Sequence, residues 1–165
     1  QSYRNRCHIF GANGKLALII PLSHSDLFNK AISEVETFSE ERWKIIHFRS
    51  ITSSYRRSPF FEYYEDDIKK LFESKETNLF KFNLECLELI FRMLKKPLHY
   101  RLTNQYEKDP TCTDLRGAFH PKRKSTGSLP RYHQVFEQEH GFIAELSILD
   151  LICNLGPGSI SYLMD

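Results

Sequence analysis

The sequence predicts an α/β or α+β domain in which a small mixed sheet, opened by an N-terminal β-hairpin, carries a helix-rich centre. Three observations point there. Two apolar runs near the start flank Gly11-Ala12-Asn13-Gly14, three stretches between residues 39 and 96 repeat apolar residues at helical spacing, and strand-like alternation returns at residues 98–102. A chain of 165 residues, 41% hydrophobic and 27% charged, fits one globular domain with a folded surface of roughly 8,500 Å².

In the hairpin, residues 7–10 and 16–22 are the apolar runs, and Asn13-Gly14 supplies the positive φ values of a tight turn. The unbroken run Leu16, Ala17, Leu18, Ile19, Ile20 reads as a strand buried on both faces, ended by Pro21. Residues 31–38 alternate loosely and read as a short edge strand. Ser39, followed by Glu40 and Glu41, reads as the N-cap of a first helix with Trp43, Ile46, His47, Ser50, Ile51, Ser54 and Tyr55 inward. Ser58-Pro59 opens a second helix, with Tyr63, Tyr64, Ile68, Leu71 and Phe72 inward. A third, expected to be the most buried, runs from Asn78 to Lys96 through Leu79, Phe82, Cys86, Leu87, Ile90, Phe91 and Leu94, and Pro97 stops it. Residues 98–102 and 132–136 read as strands separated by a long loop. Residues 145–153 form a last apolar helix, closed by a Gly/Pro cap at 154–158.

Composition excludes more than it assigns. Twenty-three Lys and Arg against 21 Asp and Glu give a net charge of +2, too small an excess to make nucleic acid or an anionic membrane the partner. No apolar run reaches the 18 residues of a membrane span. Cys7, Cys86, Cys112 and Cys153 lie far apart without zinc-site spacing, so reduced thiols, a cytoplasmic location and no metal are expected. The lack of Walker, dinucleotide-binding, zincin and nucleophile-elbow motifs excludes those enzyme classes, and no cofactor is expected.

Three separated segments carry a family resemblance: Tyr3-Arg4-Asn5-Arg6-Cys7; Trp43 with His47, Tyr55 and Pro59-Phe60; and His140-Gly141-Phe142 through Ser147 and Asp150 to Asn154-Leu155-Gly156-Pro157. In these the chain resembles the WbqC-like family along nearly its whole length. The resemblance implies a single domain over residues 1–165 that lacks the family's opening apolar strand and helix. That family is bacterial and named from an O-antigen gene cluster, which implies a cytoplasmic step in surface polysaccharide or sugar-nucleotide metabolism. Two classes of function stay open: a transferase acting on a phosphorylated or nucleotide-linked sugar, and a non-catalytic module that positions such an intermediate.

The candidate site residues follow from side-chain chemistry. Arg4, Asn5 and Arg6 precede a strand and offer guanidinium and amide donors to an anionic small molecule. Trp43 and His47 stand one helical turn apart, with Arg49 and Tyr55 following, and His47 is the candidate acid or base. Asp150 and Asn154 put a carboxylate and an amide on one face of an apolar helix, so they need partners inside the protein. Lys122, Arg123, Lys124 and Arg131 belong to the chain's one basic patch, a candidate lid over a phosphorylated ligand.

Overall fold

The structure, a computed structural model, describes residues 3–23, 30–38, 42–116, 118 and 130–164. Ser39, Glu40 and Glu41, and Lys122, Arg123 and Lys124, lie outside them. Strands β1 (Arg6–Gly11) and β2 (Gly14–Ile19) form an antiparallel ribbon, followed by helices α1 (Arg42–Tyr55), α2 (Phe61–Glu73) and α3 (Leu79–Met93). Three shorter helices follow: α4 (Glu137–His140), α5 (Ile148–Leu155) and α6 (Ser159–Met164). The mixed α/β class is as expected. The sheet is smaller: among the described residues it has two strands, both antiparallel, plus the isolated bridges Leu22 to Thr37 and Glu36 to Asn78.

The hairpin turn differs in detail from its reading. Gly11 pairs with Gly14, and the positive φ, +95°, belongs to Gly14 alone while Asn13 stays outside the left-handed region. The glycine closes the turn as in a type I loop with a left-handed residue behind it. β2 is not buried on both faces: Leu18 is buried, but Leu16 is 40% and Ile19 46% exposed. Ile19 lies on the face opposite Leu18, with Arg6 across from it, whereas Leu16 shares the Leu18 face opposite Ile9 and is still exposed near the turn.

On α1 the inward stripe is Trp43, His47, Ile51, Ser54 and Tyr55, whereas Ile46 is 52% exposed. Lys44 takes a buried place instead, because its Nζ donates to the carbonyls of Ser74 (2.5 Å) and Glu76 (3.0 Å) just past the end of α2. A cation there meets the unpaired carbonyls and the negative helix end. On α2 the register is Phe61, Tyr64, Ile68, Leu71 and Phe72, and Tyr63 points outward at 78% exposure. Asn78 caps α3, accepting the Lys81 amide at 3.1 Å. Leu89 and Met93 are buried there, but the most buried helix is α5, in which five of eight residues from Asp150 to Asn154 are covered.

Ile9, Ile51, Tyr55, Phe61, Leu89 and Ile152 meet in the larger core, which joins the hairpin, α1, α2, α3 and α5. Trp43, Leu79 and Phe82 form a smaller one with Ile20 and Val35. Residues 31–38, expected as an edge strand, instead make one 3-10 turn over Ile32–Glu34 and then extend. Neither 98–102 nor 132–136 is a strand. The first alternates but has no neighbour to pair with, leaving Tyr100 and Leu102 exposed; the second spends its polar groups on side-chain bonds. Residues 99–109 lie exposed without regular structure.

α5 ends at Gly156 with φ +52°, and a Cβ there would lie 2.5 Å from the Phe60 ring. Phe60 is itself fixed, its N–H donating to the Cys153 carbonyl at 3.0 Å. Gly156→Ala therefore adds left-handed strain and a clash together, and is expected to destabilise the fold by on the order of 2–4 kcal/mol in denaturant unfolding. A change within experimental error would show that the α5 end is not seated on Phe60.

Candidate functional site

The expected site residues fall into two groups along the hairpin. At its open end, Asn5 closes the ribbon: its carbonyl accepts the Ile20 N–H (2.8 Å) and its amide donates to the Ile20 carbonyl (3.1 Å). The Arg4 carbonyl accepts from the Asn83 amide at 2.8 Å, tying this end to α3. Arg6 stands opposite Ile19, and its buried Nε has no hydrogen-bond partner.

Two residues on, His8 lies on the same strand face, and its buried Nδ1 is also unpartnered. The Tyr3 ring meets the imidazole edge-on at 6.1 Å. Burial, then the charges of Lys15 and Arg6, push the His8 pKa below its ordinary value. No described acid pairs with Arg6, His8 or Lys15. His8, Lys15 and Tyr3 were missed in the sequence, although Arg6-Cys7-His8-Ile9 already alternates polar with apolar and so puts Arg6 and His8 on one face.

Trp43 and His47 lie behind this end, in the smaller core. Their rings are 5.2 Å apart, and Phe72 packs against both. His47 is buried and hydrogen-bonded to the backbone of Ile19; burial lowers its pKa and that bond partly offsets the fall. It is therefore close to Arg6, across one strand pair. Arg49 is exposed, two residues round the helix from His47, and does not join it.

The second group is Tyr55, Asp150 and Asn154. Eight residues along α1 separate Tyr55 from His47, about 12 Å. Asp150 is fully buried and its Oδ2 accepts from Tyr132 Oη (2.7 Å) and Gln134 Nε2 (2.8 Å), while Oδ1 has no hydrogen-bond partner. Gln134, also fully buried, reads the backbone of Ile143 with both ends of its amide, donating at 2.9 Å and accepting at 2.9 Å. Tyr55 Oη accepts the Phe10 N–H at 3.2 Å. Asn154 donates to the Asp150 carbonyl at 2.7 Å. Burial raises the Asp150 carboxyl, and the Tyr132, Gln134 and Tyr55 donors pull it partly back. Beside it, burial raises Tyr132 and Tyr55 as well.

This arrangement divides the chemistry. Asp150 is enclosed and braces the fold, whereas at the open end Arg6 Nε and His8 Nδ1 are buried without a hydrogen-bond partner. Arg131 lies against the Phe142 ring at 5.8 Å, away from that end's hydrogen bonds. The four cysteines are free, and burial holds Cys7 near a pKa of about 11 and Cys86 and Cys153 at about 12. Among the described residues no group of three His, Cys, Asp or Glu is placed to hold a metal, and no helix is long and apolar enough to cross a membrane.

The profile of the WbqC-like protein family matches residues 1–118, which include the whole open end. The chain belongs to the WbqC-like family. No curated protein and no solved structure matches it. The matched span holds Arg4, Asn5, Arg6, Trp43 and His47; the third segment of the resemblance, at 140–157, lies beyond it. In this WbqC-like chain the α5 residues are thus core material from outside the matched span.

Asp150 supplies a pH test of the enclosed group. Its carboxyl keeps a proton to higher pH when folded than when unfolded, so its contribution to stability falls as pH rises between the two values. Unfolding free energy of the wild type minus that of Asp150→Asn should decrease from about pH 4 toward neutrality. A flat difference would show that Asp150 is not held protonated by its surroundings.

Proposed function

We propose that this WbqC-like protein binds an anionic small molecule, a phosphorylated or nucleotide-linked sugar, at the open end of its hairpin. Its role is then that of a binding module in surface polysaccharide or sugar-nucleotide metabolism. The observation that supports this is the Arg6 guanidinium, whose buried Nε lacks any partner. A buried N–H left unpaired costs on the order of 1–3 kcal/mol, which an oxyanion would return. Arg4 lies beside it, and guanidinium groups suit bidentate contact with phosphate. Asn5 positions both, since it fastens the strand ends.

A ligand at 100 times its Kd should stabilise the protein by about 2.7 kcal/mol, and this is read as a thermal shift with nucleotide sugars and sugar phosphates. Arg6→Ala should abolish the shift while leaving the unliganded melt within a few degrees. If no such compound shifts the wild type, this reading fails.

The second reading makes the protein a transferase with His47 as acid or base, and the pairing of Arg6 with Ile19, whose backbone holds His47, favours it. On that reading His47→Gln keeps most of the stability while turnover falls about 10²- to 10⁴-fold. A loss of about 1–3 kcal/mol in stability with ligand affinity unchanged would instead make His47 a packing residue only.

A further inference from the structure

The outer face of the hairpin carries more than the arginines. Along β1 the side chains alternate, so Cys7 and Ile9 enter the core while Arg6 and His8 share the opposite face. Arg6 and His8 are two residues apart on one strand, about 7 Å. His8 pairs with Ala17, which makes Lys15 its diagonal neighbour at about 7–8 Å. Long side chains from either side thus converge on the imidazole. Each of the two residues on β1, Arg6 and His8, keeps one buried nitrogen without a partner.

The other charged and titratable groups near His8 are engaged elsewhere. From β2 it meets Lys15, from its own strand Arg6, and from the preceding turn the Tyr3 ring. α1 gives its His47 to the Ile19 backbone and its Lys44 to the end of α2. α5 gives its Asp150 to Tyr132 and Gln134, and in the segment before it the Ser147 N–H donates to the His8 carbonyl at 2.7 Å. His140 bonds the Ala12 carbonyl at 2.7 Å.

Resting on the anion-binding reading above, we propose that His8 is the proton-coupled arm of that site, taking up one proton as a doubly charged oxyanion settles among Arg6, His8 and Lys15. Without an anion, partial burial and then the two neighbouring cations disfavour the charged ring. An oxyanion offsets those cations and accepts the N–H that protonation creates. Binding of anion and proton then favour one another by the same factor. The phosphoryl group of the ligand, rather than a carboxylate, is what a three-armed cationic face fits, because its oxygens present more acceptors in more directions. Tyr3, half exposed beside His8, walls the site with an aromatic surface.

Sulfate is the probe, because it keeps its double charge over the pH range in which histidine titrates, whereas phosphate does not. Calorimetry of the wild type in two buffers of different ionisation enthalpy should give close to one proton taken up per sulfate. Between the His8 pKa values of the free and bound protein, sulfate affinity should fall about tenfold per pH unit. His8→Gln should bind sulfate with an affinity independent of pH and release no such signal. In the wild type, the His8 imidazole resonances should titrate at higher pH with sulfate than without, a measurement that stands even if the variant folds poorly.

Sulfate binding with no proton uptake and an unmoved His8 titration would overturn the role of His8 and leave the anion site standing. Failure of the wild type to bind sulfate, sugar phosphates or nucleotide sugars at all would overturn both.

Discussion

The fold depends on one buried contact, the Asp150 carboxylate held by Tyr132 and Gln134 at 2.7 and 2.8 Å. Through it, α5 is fastened to the segment at 130–143, which the Gln134 amide in turn fastens to Ile143. Tyr55 then carries the connection to the hairpin, since its hydroxyl holds the Phe10 N–H. A carboxylate in so covered a place is costly unless its oxygens are bonded. One oxygen is bonded twice and the other not at all, which is why burial wins and the carboxyl is raised. The polar cluster therefore specifies how the pieces meet, while Ile9, Ile51, Phe61 and Ile152 around it supply the apolar stabilisation.

Much of the architecture is legible from local chemistry. Gly11 to Gly14 marks a turn between apolar runs, Asn78 is a cap with its partner three residues on, and Pro97 follows a helix end; each of these acts within a few residues. What was not legible depends on partners distant in sequence. The stripe on α1 was drawn one residue too wide at Ile46, because an apolar residue at helical spacing does not reveal where the neighbouring helix ends. Lys44 shows the converse: nothing around position 44 announces that carbonyls 30 and 32 residues later will make burial of an ammonium favourable. The strands expected at 98–102 and 132–136 failed for the same reason. Alternation gives a face, but a strand also needs a neighbour with free backbone groups.

The candidate site was legible in part. The Arg4-Asn5-Arg6 segment was found by residue type, and the structure divides its labour, with Asn5 fastening the ribbon and Arg6 keeping an unpaired donor. Asp150 was found as a polar residue on an apolar helix that must have internal partners, and it has them. Arg49 was grouped with His47 by proximity in sequence, yet a two-residue step on a helix turns a side chain to the other side. His8 was overlooked because it sits inside an apolar run, where its polarity reads as an interruption rather than as the second member of a face.

The two ends of the hairpin show how such a site is kept available. Donors on a protein surface are easily satisfied by nearby carboxylates, and this chain has 21 of them. The described salt bridges lie on α2, on the 106–116 segment and beside α4, none on the ribbon. The core side of β1 is meanwhile fixed by Ile9 and the backbone bonds of His8 and Phe10. A strand pinned in this way cannot rotate to pair these residues with acids elsewhere, so the buried nitrogens of Arg6 and His8 stay unpartnered. The face that carries Arg6 and His8 is covered toward the turn, where Phe10 is buried against Phe136 and His140, and pre-organisation of this kind lowers the ordering cost that a small anion must overcome to bind.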